Sequence, residues 1–200
     1  MLGKERVFFV DPLDGTREFA ARRAEFSVMI GAAVRGRAAL GVLVLPVTGE
    51  ALFGDAREPE TAVIQARDGA RMPLVVTDLS DPAQARLMVS RSRTPRLVGP
   101  LSKRLRFASV TPCGSVGVKV ARVAMRDADL YVHAGGGVKS WDLCGPEAVL
   151  VAAGGRVTTL RGTPIDYAGE GIVHSAGFVG SNGALHDEVL AAIEELDPAS

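Results

Sequence analysis

The run Asp11-Pro12-Leu13-Asp14-Gly15-Thr16 sets two carboxylates three residues apart, directly after the apolar segment Val7-Phe8-Phe9-Val10. Such a pair at the end of a buried strand suits a hard cation, because Mg²⁺ takes an all-oxygen shell of carboxylates, carbonyls, waters and phosphate oxygens. Pro12 fixes its own φ and pushes Asp11 towards extended backbone, while Gly15 permits a tight turn. The expected result is a stiff corner, with both acids and the Leu13 carbonyl facing one cavity and the Thr16 hydroxyl at its mouth. The same residues also suit an Asx-Pro turn followed by a helix N-cap.

A second stretch far downstream, Trp141-Asp142-Leu143-Cys144-Gly145-Pro146-Glu147-Ala148, places Asp142 where the glycine run 135–137 enters a helix. Its carboxylate either caps that helix or completes a metal site. Gly114-Ser115 opens another helix, whose first N–H groups suit a sugar oxygen or a phosphate; a plain Ser cap is the competing reading. Lys119 and Lys139 either offer point charges to a second phosphate or are ordinary surface lysines. Cys144 reads as a small buried residue, and His133, His174 and His186 show no ligand spacing.

The elements that must position these residues fall into two halves, with a boundary near residue 83. In 1–83, a short helix over 17–23 follows the aspartate motif. Strands at 25–34 and 39–45 then form a hairpin around Arg35-Gly36-Arg37, and further short strands at 51–53, 61–64 and 74–76 continue an antiparallel meander. In 84–200, short apolar runs at 87–89, 107–110, 129–132, 156–160 and 177–180 alternate with helical stretches at 100–106, 115–125, 143–153 and 182–196. That alternation is expected where helices pack on a sheet.

With DPLDGT after an apolar strand and WD opening a later helix, the chain resembles the lithium-sensitive, Mg²⁺-dependent phosphatases related to inositol monophosphatase. Residues 114–119 (GSVGVK), 129–133 (DLYVH), Lys139, 144–148 (CGPEA) and 153–155 (AGG) look like the bacterial 3'(2'),5'-bisphosphate nucleotidases. Val89-Ser90-Arg91-Ser92 fits too, with Arg93 where that branch usually has a histidine. The resemblance implies an α/β layered sandwich in which Asp11 bridges two Mg²⁺ ions, Asp14 and Asp142 hold one of them, and the Leu13 carbonyl touches the other. Asp14 and Thr16 are then the catalytic residues. Leu13, Asp14, Gly15, Thr16, Gly114, Ser115, Lys119, Lys139 and Asp142 surround the substrate.

Relatives carry a helical layer and a glutamate pair before the opening motif, one glutamate binding metal and helping to position the water. Met1 comes too late to include them, and Glu5 is a poor substitute. One bare face of the first sheet and an impaired reaction are therefore expected, and homodimers are common in the family. The implied substrate is a small phosphorylated compound, adenosine 3',5'-bisphosphate. The alternatives are an inositol or sugar phosphate phosphatase with the same metal residues, or a noncatalytic binding or assembly subunit.

Composition sets the outer bounds. Lys+Arg and Asp+Glu both number 23 in 200 residues, so no global field attracts a nucleic-acid polymer or an acidic membrane. Two cysteines give no disulfide framework and no metal-knuckle spacing, which fits a reduced cytoplasm. No apolar run approaches the length of a membrane span.

Overall fold

A computed structural model describes residues 5–92, 96–135, 137–169, 172–174 and 176–197. Strands β1 (Arg6–Asp14), β2 (Ser27–Val34), β3 (Arg37–Leu45), β4 (Glu50–Asp55), β5 (Val63–Gln65) and β6 (Arg71–Pro73) pair in chain order as an antiparallel meander. The short helix α1 (Thr16–Ala20) follows β1 and stops earlier than the charged run 17–23 suggests. A strand expected at 74–76 is instead extended chain outside the ladder: Leu74 N–H reaches Ala62 and Val76 N–H reaches Ala153. Apolar character alone does not supply a strand with a partner.

The second sheet is mixed. β7 (Arg86–Ser90) lies parallel to β8 (Ser109–Cys113) and β9 (Leu130–His133), and β13 (Phe178–Ser181) and β11 (Arg156–Thr159) extend it antiparallel in the order β11-β13-β9-β7-β8. β10 (Val138–Lys139) and β12 (Val173–His174), absent from the sequence pattern, form a two-residue ladder. The helices are α2 (Val98–Leu105), α3 (Val116–Ala124), α4 (Ser140–Ala152) and α5 (His186–Leu196). Asn182, expected to cap the last helix directly, instead holds the turn before it by accepting from Leu185 N–H.

Helices α3 and α4 lie between the two sheets, whereas α2 and α5 cover the far side of the second sheet through Leu101, Leu105, Val189 and Ile193. The result is a layered α/β sandwich. The first sheet's other face, expected to be bare, exposes Phe8 (71%), Val10 (56%), Ile30 (44%) and Leu40 (44%).

The approach of α4 to the first sheet depends on a row of glycines. Gly31, Gly41 and Gly54 are direct cross-strand partners on β2, β3 and β4. A Cβ at Gly31 would come within 2.4 Å of Gly145 N, one at Gly41 within 2.2 Å of Gly145 O, and one at Gly54 within 2.8 Å of Ala152 Cβ. Gly145 in turn lies against the Ile30 carbonyl. Removing side chains from three adjacent strands thus opens a groove for the small face of α4, and the depth of that groove sets where Asp142 sits.

Candidate metal centre and phosphate cavity

Residues 11 and 14 of a regular strand would point to opposite faces. β1 avoids this with a bulge: Asp11 pairs with Met29 and Asp14 with Ser27, so three steps on β1 match two on β2. Pro12, which has no N–H for a ladder, occupies the irregular stretch. The motif therefore bends within the strand, where a corner after the strand end was expected. Leu13 N–H donates to Asp11 Oδ1 at 2.9 Å and fixes that carboxylate. Gly15 adopts φ 91° at the start of α1, and a Cβ there would fall 2.7 Å from the Glu25 carbonyl.

Asp142 arrives from the other side. It lies in the first turn of α4, which starts three residues before the expected 143, and its Oδ2 accepts from the Lys139 backbone N–H at 2.8 Å. Asp142 therefore caps the helix, and it also brings a carboxylate oxygen to those of Asp11 and Asp14, all within 4.8 Å of one another. Capping and clustering, posed as alternatives by the sequence, coexist. Three carboxylates this close form an oxygen-only donor set suited to a hard divalent cation.

The electrostatics agree with the geometry. Burial raises the Asp14 carboxyl above its usual range despite hydrogen bonds from Ser115 Oγ and Gly117 N–H. Burial, reinforced by the charges of Asp14 and Asp11, pushes Asp142 up to about 7. Like charges held together in a partly dry site favour a proton or a cation.

Beside the triad, a cavity of about 220 Å³ is lined by Asp14, Gly15, Thr16, Arg17, Glu18, Ser90, Arg91, Ser92, Gly114, Ser115 and Lys119, among others. Thr16 is exposed at this opening, and Leu13 is half-buried. The helix N–H groups offered by the sequence to a ligand are partly engaged: Gly114 N–H donates to Glu25 Oε2 at 2.6 Å, Gly117 N–H to Asp14, and Val118 N–H to Ser115 Oγ at 3.0 Å. Lys119 is buried in the wall, its ammonium donating to the carbonyls of Cys113, Gly114 and Ser115. Lys139 is exposed, with Nζ 4.9 Å above the Trp141 ring, and is not among the residues lining this cavity.

Two participants, Glu25 and Arg91, have roles that depend on partners distant in the chain. Glu25 accepts from both Arg91 and Gly114, and Arg91 also reaches the Pro112 carbonyl at 2.8 Å, so one carboxylate ties β7 to the loop before α3. The partners lie 66 and 89 residues apart in the chain. Arg17 and Arg91 are likewise brought to one cavity only by the fold.

The description "Inositol monophosphatase family" matches residues 1–197. The chain belongs to this family. An Escherichia coli relative, "3'(2'),5'-bisphosphate nucleotidase CysQ", is 37% identical over 169 residues, covering 82% of this chain and 63% of that protein. A Mycobacterium leprae relative, "3'-phosphoadenosine 5'-phosphate phosphatase", is 31% identical over 81% of this chain and 58% of its own length. The chain thus spans less than two thirds of each of these two relatives. Among solved structures, the inositol monophosphatase from Anabaena superposes with a TM-score of 0.80 at 27% identity, over 96% of this chain and 73% of that one. Mycobacterium tuberculosis SuhB superposes equally well, at 0.80 and 22% identity over 99% of this chain and 75% of that one, and so shares the fold. Divalent-metal chemistry is general in the inositol monophosphatase family, and the Asp11–Asp14–Asp142 cluster could hold such an ion. No helix among the described residues is long and apolar enough to cross a membrane.

Proposed function

We propose that this chain carries the metal and phosphate site of a Mg²⁺-dependent phosphatase that removes a phosphate from adenosine 3',5'-bisphosphate. The observation that carries the reading is the convergence of three carboxylates within 4.8 Å beside a cavity lined by both arginines and carboxylates. Divalent ions bound there would neutralise phosphate charge and supply an activated water for in-line displacement. Asp11, Asp14 and Asp142 would hold these ions, with the Leu13 carbonyl as a further oxygen donor. Ser115 and Gly117 keep Asp14 from swinging away. Thr16 and the Gly15 backbone sit at the cavity beside Asp14, where they orient the phosphate under attack. Arg17 on the remaining wall offers positive charge to a second phosphate, whereas Arg91 is paired with Glu25. Lys119, expected to meet a second phosphate, directs its ammonium at backbone carbonyls in the cavity wall, and Lys139 lies outside the cavity.

The names of the Escherichia coli and Mycobacterium leprae relatives support the bisphosphate choice. A second reading, an inositol or sugar phosphate phosphatase, is favoured by the Anabaena structure and by zebrafish "Inositol monophosphatase 3", 27% identical over 80% of this chain. A third, a noncatalytic binding or assembly subunit, keeps the cation site without turnover. The reading places the protein in the cytoplasm, without nucleic-acid polymer or membrane partners, and allows a homodimer.

Phosphate release from adenosine 3',5'-bisphosphate, inositol 1-phosphate and fructose 1,6-bisphosphate, measured with Mg²⁺ beside calorimetric binding, separates the three. Preference for the nucleotide is expected. Preference for inositol 1-phosphate would replace the proposal with the second reading, and binding without release would replace it with the third.

A further inference from the structure

We propose that Lys119 is a positioning residue that fixes the carboxylate of Asp14 through the backbone of residues 113–115. The inference rests on the reading of Asp11, Asp14 and Asp142 as a cation site, and concerns how that site is held in shape. Lys119 is only 2% exposed. Its ammonium donates to the carbonyls of Cys113 (3.3 Å), Gly114 (3.1 Å) and Ser115 (2.5 Å), which accounts for all three of its donors. The face of Tyr131 closes the remaining side, with its ring centre 4.8 Å from Nζ.

Three successive carbonyls do not converge on one point in a strand, where they alternate in direction, or in a helix, where they run parallel, and where a bend makes them converge their dipoles repel one another without a donor between them. The chain here does so by bending at Ser115, whose φ of 54° and ψ of 131° lie outside the regions ordinary L residues favour. Such a conformation persists only where its surroundings impose it. The bend directs Ser115 Oγ at Asp14 Oδ2 and sets Gly117 N–H 2.9 Å from the same oxygen. Ser27 Oγ at 2.9 Å and Val118 N–H at 3.0 Å hold the Ser115 hydroxyl in that orientation. The linkage from ammonium to bent loop to hydroxyl to carboxylate is continuous, and every member is at least partly buried.

A role through Asp14 and a direct role at the substrate give different results when Mg²⁺ is titrated calorimetrically into the parent, Lys119→Met, Ser115→Ala and the double variant. Thermal midpoints, KM and kcat are recorded beside each titration. Lys119→Met is expected to weaken Mg²⁺ binding at least about tenfold, the usual cost of losing a group that orients a ligand. Combined with Ser115→Ala it should add less than about twofold, because both changes act on one carboxylate. The KM at saturating Mg²⁺ should stay close to the parent's.

Unchanged Mg²⁺ affinity with a raised KM would make Lys119 a substrate contact and overturn the proposal. So would fully multiplicative effects in the double variant, which would mark Lys119 as merely stabilising. Failure of the parent to bind Mg²⁺ would remove the cation site and the proposal together, whereas parent-like binding by Lys119→Met removes the proposal alone. Should Lys119→Met not fold, Lys119→Gln carries the same titration, and parent-like Mg²⁺ affinity with a raised KM in that variant counts against the proposal in the same way.

Discussion

Asp14 and Asp142 meet in one cluster but are placed there by different means. On the strand side the machinery is local: six consecutive residues, one bulge and one glycine turn carry Asp11 and Asp14 onto the same face. On the helix side Asp142 has a local cap, but its distance from the strand is set by Gly31, Gly41 and Gly54 on three strands that contribute no ligand. A short motif therefore specifies which groups can bind, and long-range packing specifies whether they meet.

The most damaging test of this contrast is on the helix side. Gly41→Ala puts a methyl group within 2.2 Å of the Gly145 carbonyl, so α4 must lift from the sheet. Overpacking against backbone should cost about 3 kcal/mol, the upper part of the usual range, and should move Asp142 away from Asp11 and Asp14. Chemical denaturation together with Mg²⁺ titration measures both effects. Loss of stability with parent-like Mg²⁺ affinity would show that the glycine row does not set the cluster's spacing.

A second test sharpens the comparison on α4 itself. Burial pushes Glu147 up to about 7, against the opposing influence of the Tyr167 hydroxyl 2.6 Å away and of Arg37. Its ordinary value is 4.5, so between the two values the folded chain keeps a proton that the unfolded chain has lost. This group therefore makes stability fall as pH rises from about 4.5 to 7, by roughly 3 kcal/mol in all. Glu147→Gln keeps an acceptor for Tyr167 and should flatten that part of the stability profile. An unaltered slope would place the titrating group elsewhere.

The smallest effect is expected at Lys139. The cap uses its backbone N–H, and the exposed side chain only lies over Trp141. Lys139→Ala should cost about 0.5 kcal/mol or less and leave Mg²⁺ binding unchanged. A large rise in KM would instead make the side chain a phosphate contact.

What the sequence made legible follows the same division. The hairpin around Gly36 and the helix opened by Ser115 were readable because apolar periodicity and turn chemistry are local, whereas the layered α/β fold and the grouping of the three aspartates followed from the family resemblance of two short motifs. The sequence predicts a corner at Pro12 where the structure has a bulge, since proline marks an interruption without saying whether the strand resumes. β10 and β12 are two residues each and carry no periodic signal. Glu25, Arg91 and the inward turn of Lys119 depend on partners brought together by the fold. The glycines of β2, β3 and β4 lie on separate strands, and their alignment is visible only once the register is known.

The most direct measurement of the central claim is calorimetric Mg²⁺ titration of the parent beside Asp142→Asn. Asn caps a helix about as well as Asp, so this variant keeps the fold and removes one anionic ligand. The parent should bind Mg²⁺ saturably and Asp142→Asn at least about tenfold more weakly, equivalent to about 1.4 kcal/mol, with an unchanged or higher thermal midpoint without metal. Indistinguishable titrations would leave Asp142 as a helix cap alone and would contradict the three-carboxylate metal centre.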